Sequence, residues 1–166
     1  MRMLTSISEL PNVPAVYALY GGRGPGVYVA YVGITDALQR RIIQHLVARD
    51  SSITVGTSAV GLNPDYVTEV RWWEHPEFKE RSVLEAAELV AFDMLDPALR
   101  SRSNIRRQAR QLYADEEFRQ KMRSLLAGEP AGRLCILTLQ DAIEKIAEIE
   151  KRLQALEKRL AENRRL

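Results

Sequence analysis

The sequence predicts an α+β fold that ends in a coiled-coil helix. Three observations carry this. Three short stretches are apolar and rich in aromatic and β-branched residues, amphipathic helical patterns lie between and after them, and a seven-residue apolar repeat occupies the chain from Thr138 onward.

The elements follow in chain order. Residues 14–20, Pro-Ala-Val-Tyr-Ala-Leu-Tyr, are short, apolar and aromatic, as a strand requires. Residues 21–26, GGRGPG, hold four glycines and a proline, which makes a loop or hairpin turn. Residues 27–33, Val-Tyr-Val-Ala-Tyr-Val-Gly, form a second strand antiparallel to the first. Asp36, with Thr35 as its rival, can then cap a helix that puts Leu38, Ile42 and Leu46 on one stripe. Residues 51–64 carry no charge and are rich in Ser, Thr and Gly, a long loop. A third strand follows at 67–74, VTEVRWWE. A helix runs from about Glu77 to Leu95 and stops before Pro97, because the residue ahead of a proline disfavours helical geometry. Residues 98–113 contain Arg100, Arg102, Arg106, Arg107 and Arg110 and no acid. A short helix at about 114–127 stops at Gly128-Glu-Pro-Ala-Gly132, the expected boundary between a domain, 1–132, and a tail, 133–166.

In the tail, Leu139, Ile146, Leu153 and Leu160 stand seven apart, and Ala142, Ile149, Leu156 and Asn163 fill the second seam position. That is an a/d heptad pattern. With Leu139 at a, Lys145–Glu150 and Arg152–Glu157 are complementary g-to-e pairs between parallel chains, whereas Arg159–Arg164 would repel. The narrow stripe favours a coiled coil over a helix folded back onto its own domain, and a homodimer is expected although the mixture of isoleucine and leucine at a and d does not fix the strand number. Parallel pairing would place two heads at the same end.

Bulk properties set the frame. A chain of 166 residues, 46% of them hydrophobic, suits one soluble domain with an appendage. A net charge of +2 neither calls for nucleic acid nor excludes it. The single cysteine, Cys135, excludes an internal disulfide and a cysteine-cluster zinc site. The Met1 end lacks the basic-then-apolar design of a secretory signal, and no apolar run approaches a membrane span, so a cytoplasmic protein is expected.

Polar residues gather where strand meets helix. Tyr17, Tyr20, Tyr28 and Tyr31 lie in strands, where tyrosine usually packs. Arg41 and His45 stand at i and i+4 on one helical face, at the edge of the apolar stripe. Glu88 falls inside the stripe of Leu84, Ala91 and Leu95, where a carboxylate is costly unless an arginine or a metal ion compensates it. Glu85, one turn earlier, is the rival candidate. The arginines from 100 to 110 suit a phosphate backbone, or are a solvated charge run. Gly22, Gly24 and Gly26 lie between strands rather than before a helix, so they form no nucleotide fingerprint.

Taken in order, these pieces resemble the GIY-YIG nuclease family. The first triplet stands here as Ala15-Val16-Tyr17 and the second as Tyr31-Val32-Gly33. Ten residues after Tyr31 comes Arg41, matching the family's catalytic arginine, and four later His45, where relatives carry histidine or tyrosine. The family's metal-binding glutamate commonly precedes a proline by nine residues, the spacing of Glu88 and Pro97 but not of Glu85. Asn104 is the candidate for the closing asparagine, although it comes later than usual, and Ala15 replaces the first glycine. The resemblance, over residues 14–104, implies a central three-stranded antiparallel sheet flanked by helices. It also implies hydrolysis of nucleic-acid phosphodiesters, DNA or RNA, with one Mg²⁺ or Mn²⁺. Glu88 would hold the metal, Arg41 would stabilise transition-state charge, Tyr17 or Tyr31 would orient or deprotonate the water, and His45 would bond a tyrosine or move a proton. Arg102, Arg106, Arg107 and Asn104 would contact the nucleic acid.

Overall fold

The computed structural model describes residues 1–22, 26–49, 62–100, 104–137 and 139–163. They form two compact units, Met1–Ile136 and Leu137–Leu166. The first unit is built on one strand. β2 (Ala15–Gly21) is buried at all seven positions, because it has a neighbour on each edge and helices over both faces. Its alternation divides the core. Val16, Ala18 and Tyr20 face the helix α2 (Arg81–Leu95), and Ala15, Tyr17 and Leu19 pack with Leu38 and Ile42 of α1 (Leu38–Leu46). β3 (Tyr28–Thr35) and β4 (Val67–Trp73) pair antiparallel to β2 on its two sides, the mixed α and β class the sequence predicts.

The sheet has five strands rather than three. β5 (Gly132–Cys135) pairs antiparallel with β4, and β1 (Arg2–Leu4) pairs parallel with β5, giving the order β1-β5-β4-β2-β3. Both additions are too short, and too interrupted by arginine, to show a strand period in the sequence. The domain boundary expected at 128–132 accordingly moves to between Ile136 and Leu137, since Gly132–Cys135 is held in the sheet.

The helices differ from expectation at their ends. α1 begins after Ala37 with no side-chain cap; Asp36 instead pairs with Arg40, and Thr35 Oγ1 accepts the Ala37 amide. A separate 3-10 turn, Pro76–Lys79, precedes α2, so the helix starts at Arg81 rather than 77. Asp96 closes it in the left-handed region, φ 39°, ahead of Pro97. The helix expected at 114–127 is α4 (Glu116–Ala127), started by the Asp115 carboxylate, which accepts the amides of Glu117 and Phe118; a further helix, α3 (Arg107–Ala114), lies in the basic stretch ahead of it, where none was expected. Most of the loop expected at 51–64 lies outside the described residues.

The second unit contains one long helix, α5 (Leu139–Asn163). Ile143, Ile146, Ile149, Leu153 and Leu156 are each more than half exposed on it. The side chains of Leu139, Leu160 and Asn163, and all of Arg164, lie outside the described residues.

β5 offers a test of the enlarged sheet. A Cβ on Gly132 would come within 2.2 Å of the indole carbons of Trp72, its cross-strand partner, which is fully buried. Gly132→Ala should therefore destabilise the first unit by about 1–3 kcal/mol, the scale for overpacking a core. Chemical denaturation checks this, and unchanged stability would detach β5 from the sheet.

Candidate active site

Register brings the sequence candidates together. Tyr17 pairs with Gly33 across the β2–β3 ladder, and Tyr31 lies two residues back on the same face. α1 crosses that face, and its last turn delivers His45. The three rings form a tight triangle, with centroids 6.1 Å apart for Tyr17–Tyr31, 5.8 Å for Tyr17–His45 and 5.6 Å for Tyr31–His45. Tyr17 Oη lies 2.6 Å from His45 Nε2, and neither residue is exposed to solvent. Gly33 is steric in origin: a Cβ there would meet Tyr17 Oη and Tyr31 Cε1, each at 2.7 Å.

Burial decides the charges. It drives His45 down to about 3, helped by the nearby Arg41 cation, so the imidazole is neutral. Burial, reinforced by Tyr31, holds Tyr17 well above the ordinary phenol value. The bond therefore joins a neutral phenol to a neutral imidazole, and Tyr17, held protonated, is a poor general base. Burial also opposes the Arg41 charge, but the Tyr17 and Tyr31 hydroxyls beside it outweigh that and keep the guanidinium firmly protonated. Arg41 donates to Gln44 Oε1 at 3.3 Å, while its Nε is buried with no hydrogen-bond partner.

α2 supplies the acids. Three carboxylates are buried among the described residues, Glu69, Glu85 and Glu88, and their partners separate them. Glu69 bridges Arg71 and Arg133. Glu85 accepts Arg81 Nε at 3.0 Å and the Arg106 amide at 3.1 Å. Glu88 differs from both: its Oε2 is buried without a partner, and burial raises its carboxyl to about 7 against the pull of Arg81 and Arg41. Of the two rivals, Glu85 has both oxygens engaged and Glu88 has one in reserve. An orphaned carboxylate oxygen fits a hard cation. No three His, Cys, Asp or Glu residues cluster as a metal cage among the described residues, so a cation on Glu88 would keep most of its waters.

Beside this group, α1 and α2 leave a polar cleft of about 350 Å³ at the end of β3. Ile34, Thr35, Asp36, Arg40, Arg41, Gln44 and Arg81 line it, three cations to one anion. Arg41 thus belongs both to the cleft and to the surroundings of the triangle, whereas Tyr17, Tyr31, His45 and Glu88 are buried and do not line the cleft. Arg106 precedes α3 and Arg107 opens it, both exposed, as is Asn104, which does not join the triangle; Arg102 lies outside the described residues. Arg81 is the cleft residue that the sequence motifs miss, although its spacing of four from Glu85 and seven from Glu88 puts all three on one helical face. Compared with protein-family models, curated proteins and solved structures, the chain matches none.

The two displaced titrations have opposite signs. The unfolded Glu88 loses its proton near 4.5 and the folded one near 7, so stability falls as pH rises between them. Unfolded His45 gains a proton below 6.5 and the folded one only near 3, so stability falls as pH drops between them. From 4.5 to 6.5 the two slopes offset, each being up to about 1.4 kcal/mol per pH unit. Glu88→Gln should expose the histidine slope, losing about 1 kcal/mol per pH unit relative to the parent as pH falls through this window. Denaturant titrations of both metal-free proteins test this, and parallel pH profiles would contradict it.

Proposed function

We propose that this chain hydrolyses nucleic-acid phosphodiester bonds, DNA foremost, with one Mg²⁺ or Mn²⁺ held by Glu88. The observation that carries the reading is the partnerless Glu88 oxygen, buried within electrostatic reach of Arg41, Arg81 and Tyr17. The bound cation would polarise a phosphate oxygen and lower the pKa of a coordinated water. Arg41, at the cleft, contacts the phosphate and stabilises the extra negative charge of the transition state. Tyr17 and Tyr31 fix the guanidinium from behind, and neutral His45 is hydrogen-bonded to the Tyr17 hydroxyl, so that Arg41 needs no reorganisation as charge develops. Arg106 and Arg107 contact flanking backbone, and Asn104 lies in the same exposed stretch.

Arg41→Ala and Glu88→Gln should each lower cleavage of plasmid DNA in Mg²⁺ by at least about a hundredfold, the scale for one electrostatic stabiliser. Tyr17→Phe, which leaves Arg41 in place, should cost less. Chelator should abolish cleavage by the parent chain. A protein that binds DNA but cuts nothing under any of these conditions is a binding module, the reading this experiment would then favour.

The α5 seam supports a homodimer. Its exposed isoleucines and leucines form a stripe with no room for a core of their own, and Lys145, Glu150, Arg152 and Glu157 flank it with complementary signs for parallel chains. Light scattering should give a dimer for the full chain and a monomer for residues 1–136. A monomeric full chain, or a truncation that stays dimeric, sinks the assignment.

A further inference from the structure

Arg81 belongs to none of the motifs, yet its position is constrained. It opens α2, and its side chain lines the cleft from the wall opposite Arg40 and Arg41. Its Nε donates to Glu85 Oε1 at 3.0 Å. The same carboxylate accepts the Arg106 backbone amide through Oε2 at 3.1 Å, and Arg106 Nε lies 3.6 Å from Oε1. Exposure is graded: the Glu85 side chain is 8% exposed, Arg81 45% and Arg106 60%.

An ordinary surface salt bridge joins two mobile, solvated groups and fixes neither. Here one buried carboxylate holds two guanidinium groups and a main-chain amide while both cations remain open to solvent. Glu85 cancels only one of the two positive charges, so the assembly keeps a net attraction for anions. Arg41, across the cleft, has a buried Nε with no partner. The basic stretch that starts α3 is therefore tied to the cleft through a single side chain.

We propose that Arg81 is a second phosphate-binding residue of the Arg41 cleft, and that Glu85 is the positioning residue that holds it and joins the cleft to the basic start of α3. The ligand is a phosphodiester backbone, with one phosphate between Arg41 and Arg81 and a neighbouring one toward Arg106. This rests on the nucleic-acid reading of the cleft and specifies how the strand is held.

The test uses the full-length chain and a fluorescent duplex oligonucleotide, first in chelator across a salt series, then in Mg²⁺ for cleavage. Arg81→Ala should flatten the dependence of log affinity on log salt by about 0.9, the contribution of one phosphate contact. Arg81→Lys should keep the parent slope, and Arg123→Ala, on α4 away from the cleft, should leave it unchanged. Glu85→Gln should lower the cleavage rate by about tenfold or more without flattening the slope, and should cost clearly less in the Arg81→Ala background, where only its hold on Arg106 is left to lose. An unchanged slope in Arg81→Ala overturns the phosphate contact, and additive losses overturn the positioning role of Glu85. Competition by a nucleoside monophosphate as effective as that by the oligonucleotide overturns the extended track. A parent chain without affinity for the duplex brings down the proposed function as well, whereas an active parent matched by Arg81→Ala refutes this inference alone.

Discussion

The hydrogen bond between Tyr17 and His45 ties the central strand to α1, and the rest of the site is arranged around it. Both groups are fully buried, so the bond satisfies a polar atom on each side of the core. Deleting one side leaves a penalty of about 1–3 kcal/mol on the other. The bond also dictates what surrounds it. The phenol reaches the imidazole by passing over Gly33, its cross-strand partner, which has no side chain to block it. Neutrality of the pair follows from its burial, and the cation beside it is Arg41, whose head leads out to the cleft. A hydrophobic core with one polar strut thus presents a cation at a fixed point.

On the other face of the sheet, α2 solves a harder problem. Ten of its fifteen residues are buried, and two of those are glutamates. Glu85 is neutralised in an ordinary way, by arginine and a backbone amide. Glu88 is not, and it retains its proton to about pH 7 rather than carry an uncompensated charge. Natural cores seldom leave such a group without a reason, since an apolar residue of similar size would stabilise the helix better. The contrast with Glu69, which bridges two arginines, shows that this chain satisfies buried acids elsewhere.

Legibility in the sequence followed the strength of the local signal. β2, β3 and β4 were readable because they are buried on both faces or nearly so, and short apolar, aromatic runs of that kind seldom occur outside strands. Helix period put Arg41 and His45 on one face, but what joined them to Tyr17 and Tyr31 was the family resemblance, since strand tyrosines usually pack. Glu88 stood out as a carboxylate inside an apolar stripe. β1 and β5 were invisible: three or four residues with an arginine among them carry no period, and their pairing depends on contacts from opposite ends of the first unit. The choice between Glu85 and Glu88 rests in space on partners, Arg81 and Arg106, that the sequence does not mark as partners. Arg81 itself reads as a solvated helix-start charge until the cleft is seen.

The two unsatisfied groups of the site are complementary in sign and lie within each other's field. Arg41 bears a charge that burial opposes and a nitrogen with no partner, and Glu88 an oxygen with no partner and a charge it declines to carry. They do not pair with each other: the tyrosine hydroxyls hold the Arg41 charge, but its Nε and the Glu88 oxygen are each left without a partner. An anion in the cleft relieves the first and a cation at Glu88 the second. Each would also strengthen the other's binding, because linkage between two sites is reciprocal. Under the proposed reading, a phosphodiester and its divalent cation are the one pair of ligands that arrive already associated. A core that leaves both penalties standing is suited to receive them together, which is also when charge stabilisation matters for cutting the backbone.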